Sequence, residues 1–164
     1  MHAPIKRAST LFLKAVVILI GALVIALCVF LFPAMWSIEA RQLPQFMYVI
    51  YPGFIGFFAT VIPFFFALYQ SFKLLHSIDT NNAFSESSVQ ALRYIKYCAV
   101  AMSVLYAAGM PMVVVFAELD DAPGAILIGL AIVFAPLIVA TFAGVVQKLV
   151  QNAVDMKQEN DLTV

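Results

Sequence analysis

Few side chains in this sequence could act as nucleophiles, bases or metal ligands. His76 lies at the end of an apolar segment, and Ser85, Ser87, Ser88 and Cys98 fall on the same predicted side of the membrane. Nucleophilic catalysis needs a base within hydrogen-bond reach of the nucleophile, and no GxSxG elbow or comparable motif places one there. His76 is therefore interpreted as an interfacial polar residue, and a membrane enzyme that uses it is the weakest of three function hypotheses.

Metal and cofactor motifs are equally sparse. Cys28 and Cys98 lie in apolar runs without a CxxC or His/Cys spacing, so both are interpreted as packing residues. The segment AELDDAPG, residues 117–124, holds three carboxylates, but it lacks the spacing of an EF-hand and is interpreted as a solvated acidic turn. No phosphate loop, dinucleotide fingerprint or zinc signature is found. The sequence predicts no catalytic residue, no metal and no cofactor, and a protein that is not an enzyme.

The elements around these residues are strongly apolar. Of 164 residues, 64% are hydrophobic and 11% are charged, against about 45–50% and about 25% in soluble domains. Four apolar segments, at about 11–32, 46–75, 89–116 and 124–150, have the roughly 20 residues that a membrane-spanning helix needs. The first is too long for the h-region of a signal peptide, about 7–15 residues. The predicted fold is a single all-α domain, residues 1–164, in which four transmembrane helices form a bundle and Pro33 ends the first span.

The distribution of basic residues predicts the orientation of the spans. Short cytoplasmic loops carry an excess of lysine and arginine. Of nine such residues, only Arg41 falls on one side. The other eight are Lys6, Arg7, Lys14, Lys73, Arg93, Lys96, Lys148 and Lys157. Both termini, the loop 76–88 and the tail 151–164 are therefore predicted to be cytoplasmic, in a multi-pass protein of the cytoplasmic (inner) membrane.

Helix-breaking and ionisable residues inside the spans indicate whether the protein could transport a solute. Helix-breaking residues in the second, third and fourth spans are Pro52, Pro63, Gly109, Pro111 and Pro136. They predict kinks or interruptions, which either reflect ordinary packing or line a solute path. No span has an ionisable residue near its centre, which argues against proton-coupled transport. Lys14, near the cytoplasmic end of the first span, is predicted to snorkel toward the headgroups.

The segment NNAFSESSVQALRYIKYC, residues 81–98, is the best-defined polar stretch. Asparagine tolerates left-handed turns, Ser85 is a candidate N-cap, and Ser87 with Gln90 matches a capping box. The tail closes with QENDLTV, residues 158–164, interpreted as a helix extension with a β-prone tip. The sequence nominates eight residues of these two segments for docking a partner: Asn82, Phe84, Ser85, Arg93, Lys96, Asp161, Leu162 and Thr163.

Both segments resemble a bacterial inner-membrane family known as domain of unknown function 2975. The match covers the stretch NNAFSESSVQALRYI, in which Ala83 stands where the family usually has proline and Ser88 where it often has asparagine, and the closing DLT. The resemblance implies a four-span fold. Members of the family are often encoded beside small helix-turn-helix regulators of the Xre or Cro type, which suggests such a regulator as a cytoplasmic partner.

Two main function hypotheses result. The first is a non-enzymatic interaction or regulatory module that presents its loop and tail to a cytoplasmic protein. The second is a subunit of a small-molecule or ion transporter or channel. The lipid bilayer is the expected environment in both, a homo-oligomer is compatible with both, and direct nucleic-acid binding is not expected.

Overall fold

The computed structural model of the protein describes residues 3–163, without the side chains of residues 3–6, 39 and 40. The side chain of Lys6 on the basic side and all of Val164 in the tail therefore lie outside the described part. Six α-helices contain most of these residues, and no β-strand occurs among residues 3–163. The helices are α1 (Ala3–Ala26), α2 (Phe32–Gln42), α3 (Met47–Asp79), α4 (Glu86–Ala108), α5 (Met110–Leu119) and α6 (Gly124–Leu162).

These helices form four segments that are long and apolar enough to cross a membrane. They run over Arg7–Ile38, Pro44–Asp79, Glu86–Leu119 and Gly124–Leu162, so the predicted all-α fold with four spans is confirmed. Each helical segment extends past the apolar window that identified it, because a helix continues through polar residues wherever its backbone hydrogen bonds do.

The prediction that Pro33 ends the first span is wrong. A π-helical turn over Leu27–Leu31 joins α1 directly to α2, which continues to Gln42. Pro33 has no N–H to donate and its ring crowds the preceding turn. A π turn widens the helix at such a point and lets the chain pass the proline without breaking.

The other residues that were predicted to interrupt the spans have two different effects. Pro52, Pro63 and Pro136 lie inside continuous helices. The third span is divided at Gly109, where α4 ends and α5 begins, so the interruption predicted there is confirmed. The Gly109 amide donates to the carbonyls of Leu105 and Tyr106, both at 3.1 Å.

The spans pack in the order in which they occur along the chain. α4 lies between α3 and α6 and has the most extensive contacts with both, whereas α1 packs mainly on α3. Small residues bring α6 close to its neighbours: Ala140 and Ala143 are buried, and a Cβ atom at Gly129 would lie 2.9 Å from Met110 Sδ. Large apolar side chains are mostly exposed on the outer faces, where lipid covers them in a membrane protein.

Candidate functional site

The polar end of the bundle comprises the starts of α1 and α4 and the ends of α3 and α6. Lys14 of α1 contacts Asp79 at the last residue of α3, so these two helices are antiparallel. The α4–α6 pair is antiparallel as well. The Ser103 hydroxyl donates to the Val133 carbonyl at 2.7 Å, whereas Lys96, earlier in α4, lies beside Gly144, later in α6. The loop after α3 and the end of α6 therefore lie at the same end of the molecule.

The turn after α3 is a Schellman motif. Asn81 adopts the left-handed conformation, with φ 59°. Its amide donates to the Ile78 carbonyl at 3.3 Å, and the Asn82 amide donates to the Ser77 carbonyl at 2.8 Å. These two bonds satisfy carbonyls that the end of a helix otherwise leaves without donors. The left-handed turn predicted from the asparagines is confirmed.

Ser85 is the N-cap of α4, as predicted. It is extended (φ −132°, ψ 162°), and its Oγ accepts a 3.4 Å hydrogen bond from the Ser88 amide. The hydroxyls of Ser85 and Ser88 both donate to the Asn82 carbonyl, at 2.8 and 3.3 Å. Ser88 is completely buried. The Ser87–Gln90 capping box is wrong, because α4 begins at Glu86 and Ser87 is already its second residue.

These bonds join the turn and the cap into one ordered unit. The Asn82 carbonyl accepts from the hydroxyls of the N-cap Ser85 and of Ser88 in α4, while the Asn82 amide donates to the end of α3. Phe84 projects from this unit and is 60% exposed. We call residues 80–88 the capped loop. Its conformation is fixed by hydrogen bonds, so it presents Phe84 and the Asn82 side chain, which is also exposed, in a defined position.

The two basic candidates on α4 differ in their surroundings. Arg93 is exposed. The stem of Lys96 lies over α6, since a Cβ atom at Gly144 would be 3.3 Å from Lys96 Cδ. The Lys96 ammonium is 5.1 Å from the centroid of the Tyr97 ring. Lys96 therefore contributes to packing between α4 and α6, and Arg93 is the freer of the two charges for a partner or for lipid headgroups.

The tail continues α6 as a helix, so the predicted helix extension is confirmed, and the tip that was interpreted as β-prone is helical as far as Leu162. The Thr163 amide donates to the Glu159 carbonyl at 3.2 Å, and Gln151 Nε2 donates to Asp155 Oδ1 at 3.0 Å. Met, Lys, Gln and Glu at 156–159 are good helix formers, and they extend a helix that is already nucleated. Asp161, Leu162 and Thr163 are all exposed.

The level of the tail relative to the loop follows from helix geometry. Lys96 and Gly144 lie side by side. Glu86 is ten residues before Lys96, and Val154 is ten residues after Gly144, so Val154 lies near the level of the start of α4. Val154 is 4% exposed, whereas residues 155–163 are exposed on all faces. At 1.5 Å per residue, the tail helix projects about 12 Å beyond the start of α4.

One ion pair at this end was not predicted from the sequence. Lys14 Nζ is 2.5 Å from Asp79 Oδ2, and the two side chains are 15% and 20% exposed. The ammonium also lies 5.5 Å from the centroid of the Phe72 ring, and Thr10, at 4% exposure, lies beside the same carboxylate. Lys14, which was predicted to reach toward the headgroups, extends to the last residue of α3, and its charge is neutralised there by Asp79.

The residues first considered for chemistry are not brought together. His76 is exposed, Cys98 is buried, and within residues 3–163 the His76 imidazole makes no hydrogen bond to a serine or cysteine. The acidic segment is a second Schellman turn, with Asp121 at φ 49° and the Ala122 amide donating to the Ala117 carbonyl at 2.9 Å. Across the described residues, no group of three or more His, Cys, Asp or Glu side chains is placed to hold a metal ion.

Comparison with known proteins assigns the chain to a family. The model of a family described as "Protein of unknown function (DUF2975)" matches residues 34–164. The chain is 55% identical over 159 residues to the "Uncharacterized membrane protein YoaS" of Bacillus subtilis (strain 168), covering 97% of this chain and 99% of the relative. No solved structure matches. This multi-pass membrane protein, with its four apolar helices and ordered polar end, belongs to the DUF2975 family of proteins of unknown function.

Proposed function

We propose that the protein is a non-enzymatic docking module of the cytoplasmic membrane, which presents the capped loop and the tail of α6 to a cytoplasmic protein. The observation that carries the proposal is the ordered polar end. The capped loop is held by backbone and side-chain hydrogen bonds among its own residues and to the adjoining helix ends. A fixed loop beside a projecting helix forms a recognition surface with little conformational entropy left to lose on binding.

The proposed orientation rests on the basic residues of the polar end. Eight of the nine Lys and Arg residues fall on this side, and an excess of basic residues marks cytoplasmic loops. Labelling of single cysteines in intact cells tests the orientation. Met156→Cys is expected to react with a membrane-impermeant maleimide only after the cells are opened, and Arg41→Cys is expected to react before. The reverse order of labelling would place the polar end outside the cell.

The charges of the tail indicate the chemistry of the partner. Residues 155–163 contain Asp155, Lys157, Glu159 and Asp161, a net charge of −2, and this part of α6 is exposed. An acidic helix that projects from the membrane is complementary to a basic protein surface. Small helix-turn-helix regulators carry such a surface for DNA phosphates, so a regulator of this class is the proposed partner.

Transport and catalysis have less support. The cavity of about 310 Å³ between α3, α4 and α6 is lined by apolar side chains apart from Ser71. Within residues 3–163, the one ion pair inside a helix interface, Lys14–Asp79, lies at the polar end rather than at mid-membrane depth. A solute path through these helices would need polar groups along its length.

Site-specific photocross-linking in intact cells tests the docking function. A photoreactive residue is placed at Phe84 in the capped loop or at Leu162 in the tail, and at Leu119 as an exposed control at the opposite end. The same soluble protein is expected at the first two positions and not at the third. Exchanging the charges of Asp155 and Asp161 for lysine is expected to remove the adduct at Leu162. If neither Phe84 nor Leu162 captures a soluble protein, docking at the polar end is excluded.

A further inference from the structure

The face of α6 that points away from α4 carries a continuous heptad pattern. Starting at Ile128, the positions recur at alternating spacings of three and four residues, and every one of them is exposed. We call this set the α6 seam. It consists of Ile128, Ala131, Ala135, Ile138, Phe142, Val145, Leu149, Asn152, Met156, Glu159 and Thr163. A 3–4 spacing of this kind is the signature of a helix that pairs with another helix in a left-handed supercoil.

Apart from Ala135, which borders the cavity between α3, α4 and α6, the seam is separate from the contact that α6 already makes within the chain. If the alternating positions are labelled a and d, the f positions on the opposite side of the helix are Val133, Ala140, Gln147 and Val154. Ala140 and Val154 are 5% and 4% exposed, and the other two are half-buried. α6 therefore uses one side within the bundle and keeps a second patterned side without a partner in the described chain.

Lipid accounts for only part of this seam. Ile138 and Phe142, both about 70% exposed, lie within the predicted span and face acyl chains in a monomer. Met156 lies six residues, or about 9 Å, past the predicted end of the span at residue 150. It is 64% exposed, and it continues the same stripe as Leu149. An apolar stripe that keeps its register from lipid into water fits a protein helix better than it fits lipid.

We propose that a second copy of this chain occupies the α6 seam, so that two α6 helices pack side by side and parallel. Two copies inserted with the same topology present identical seams related by a twofold axis. The seam carries no charge from Ile128 to Met156, so like charges face each other only at Glu159, in the exposed tail. Asn152 is the polar position within it, and asparagine at a single core position specifies register.

The size of the seam is sufficient for a specific pair. From Ile128 to Thr163 it runs about 53 Å along the helix, and a helix presents a strip about 10 Å wide. Two such strips bury on the order of 1,000 Å², which is the lower limit for a specific protein interface. The proposal does not rest on the docking function, because the seam does not include the capped loop and shares only Met156, Glu159 and Thr163 with the exposed tail, residues 155–163.

Disulfide cross-linking of the full chain in membranes tests the proposal. The background carries Cys28→Ser and Cys98→Ala, and one cysteine is added at Met156 in the seam or at Asp161 on the opposite side of the same exposed tail. Opposed seam positions approach the Cβ separation of about 3.5–4.5 Å that a disulfide requires. Met156→Cys is therefore expected to give at least about tenfold more dimer on mild oxidation than Asp161→Cys.

A second measurement avoids the substitutions in the spans. Single-molecule photobleaching of the fluorescently tagged wild-type chain in lipid nanodiscs is expected to show two subunits per particle. Equal dimer yields from Met156→Cys and Asp161→Cys, or single subunits in nanodiscs across the protein-to-lipid ratios tested, would overturn the proposal. Neither result bears on capture of a soluble partner at Phe84, so the seam and the docking function fail independently.

Discussion

The hydrogen bond between Ser103 and Val133 is expected to depend on the proline in α6. Ser103 is 4% exposed, and its hydroxyl donates to the Val133 carbonyl at 2.7 Å. Pro136 lacks an N–H, so the Ile132 carbonyl four residues earlier loses its helical donor and the helix opens on that side. The Val133 carbonyl, one residue further along, is expected to turn outward with it and to become accessible to a hydroxyl from α4. Hydroxyl side chains commonly satisfy backbone groups that prolines free in membrane helices.

The loss of stability expected when the Ser103 hydroxyl is removed follows from the position of this hydrogen bond between two membrane helices. Interhelical hydrogen bonds in membrane proteins contribute about 0.6 kcal/mol on average and about 1.7 kcal/mol at most. The bond is short and buried, so Ser103→Ala is expected to lower the free energy of unfolding by about 1 kcal/mol, or roughly a fivefold change in the folded-to-unfolded ratio. Thr141→Ala is the matched control. The Thr141 hydroxyl is exposed and donates to Leu137 within its own helix, so its removal is expected to cost less than about 0.3 kcal/mol.

Reversible unfolding in mixed micelles with increasing SDS provides the measurement. Trp36 is the single tryptophan, and its ring packs on Tyr51 and Phe54 at centroid distances of 5.6 and 5.3 Å, so its fluorescence reports loss of packing. A double-mutant cycle with Pro136→Ala isolates the coupling. In the Pro136→Ala background, Ser103→Ala is expected to lower the free energy of unfolding by less than it does in the chain that keeps Pro136. An equal cost in both backgrounds, or a cost no larger than that of Thr141→Ala, would refute the proposed role of the proline.

Substitutions at three other places in the structure are tested by the same unfolding measurement or by proteolysis. Asn81→Gly is expected to be within a few tenths of a kcal/mol of wild type, whereas Asn81→Val should lose about 1–2 kcal/mol, because φ is 59°; equal effects would contradict the left-handed turn. Asp79→Lys should increase cleavage of the first span by protease, and the exchange Lys14→Asp with Asp79→Lys should restore resistance if the ion pair holds α1 on α3. Gly129→Leu should cost about 1–3 kcal/mol, since even a Cβ atom would lie 2.9 Å from Met110 Sδ; an unchanged stability would show that this contact is loose.

The parts of the fold that follow from local rules were predictable from the sequence. Apolar length identified the four spans, and asparagine and serine chemistry identified the turn at Asn81 and the N-cap at Ser85. The ends of the first and last helices were mispredicted for a common reason. Composition marks where lipid ends, but a helix ends only where its hydrogen bonding does. Pro33 is bypassed by a π turn, and good helix formers carry α6 to Leu162.

The ion pair and the arrangement of the helices depend on tertiary contacts that no local pattern encodes. Lys14 and Asp79 are 65 residues apart, and they meet only because the first and second spans are antiparallel neighbours. The distribution of lysine and arginine predicted that both residues lie on one side of the membrane. It takes no account of carboxylates, so it could not identify Asp79 as the partner of Lys14. Asp79 at the end of an apolar segment was the available signal, since a carboxylate near a membrane boundary commonly has a cationic neighbour.

The packing order also indicates which helices position the proposed docking surface. α1 packs mainly on α3, whereas α4 contacts both α3 and α6 extensively. The family model begins at residue 34, after α1 and the π turn. The capped loop is attached to α3 and α4, and the tail belongs to α6, so their relative position is set by the α4–α6 contacts at Ser103 and Lys96. A partner that moves the tail must therefore act on the same interface that orients the loop, and loosening this interface by Ser103→Ala is expected to weaken capture at Phe84 and Leu162 together.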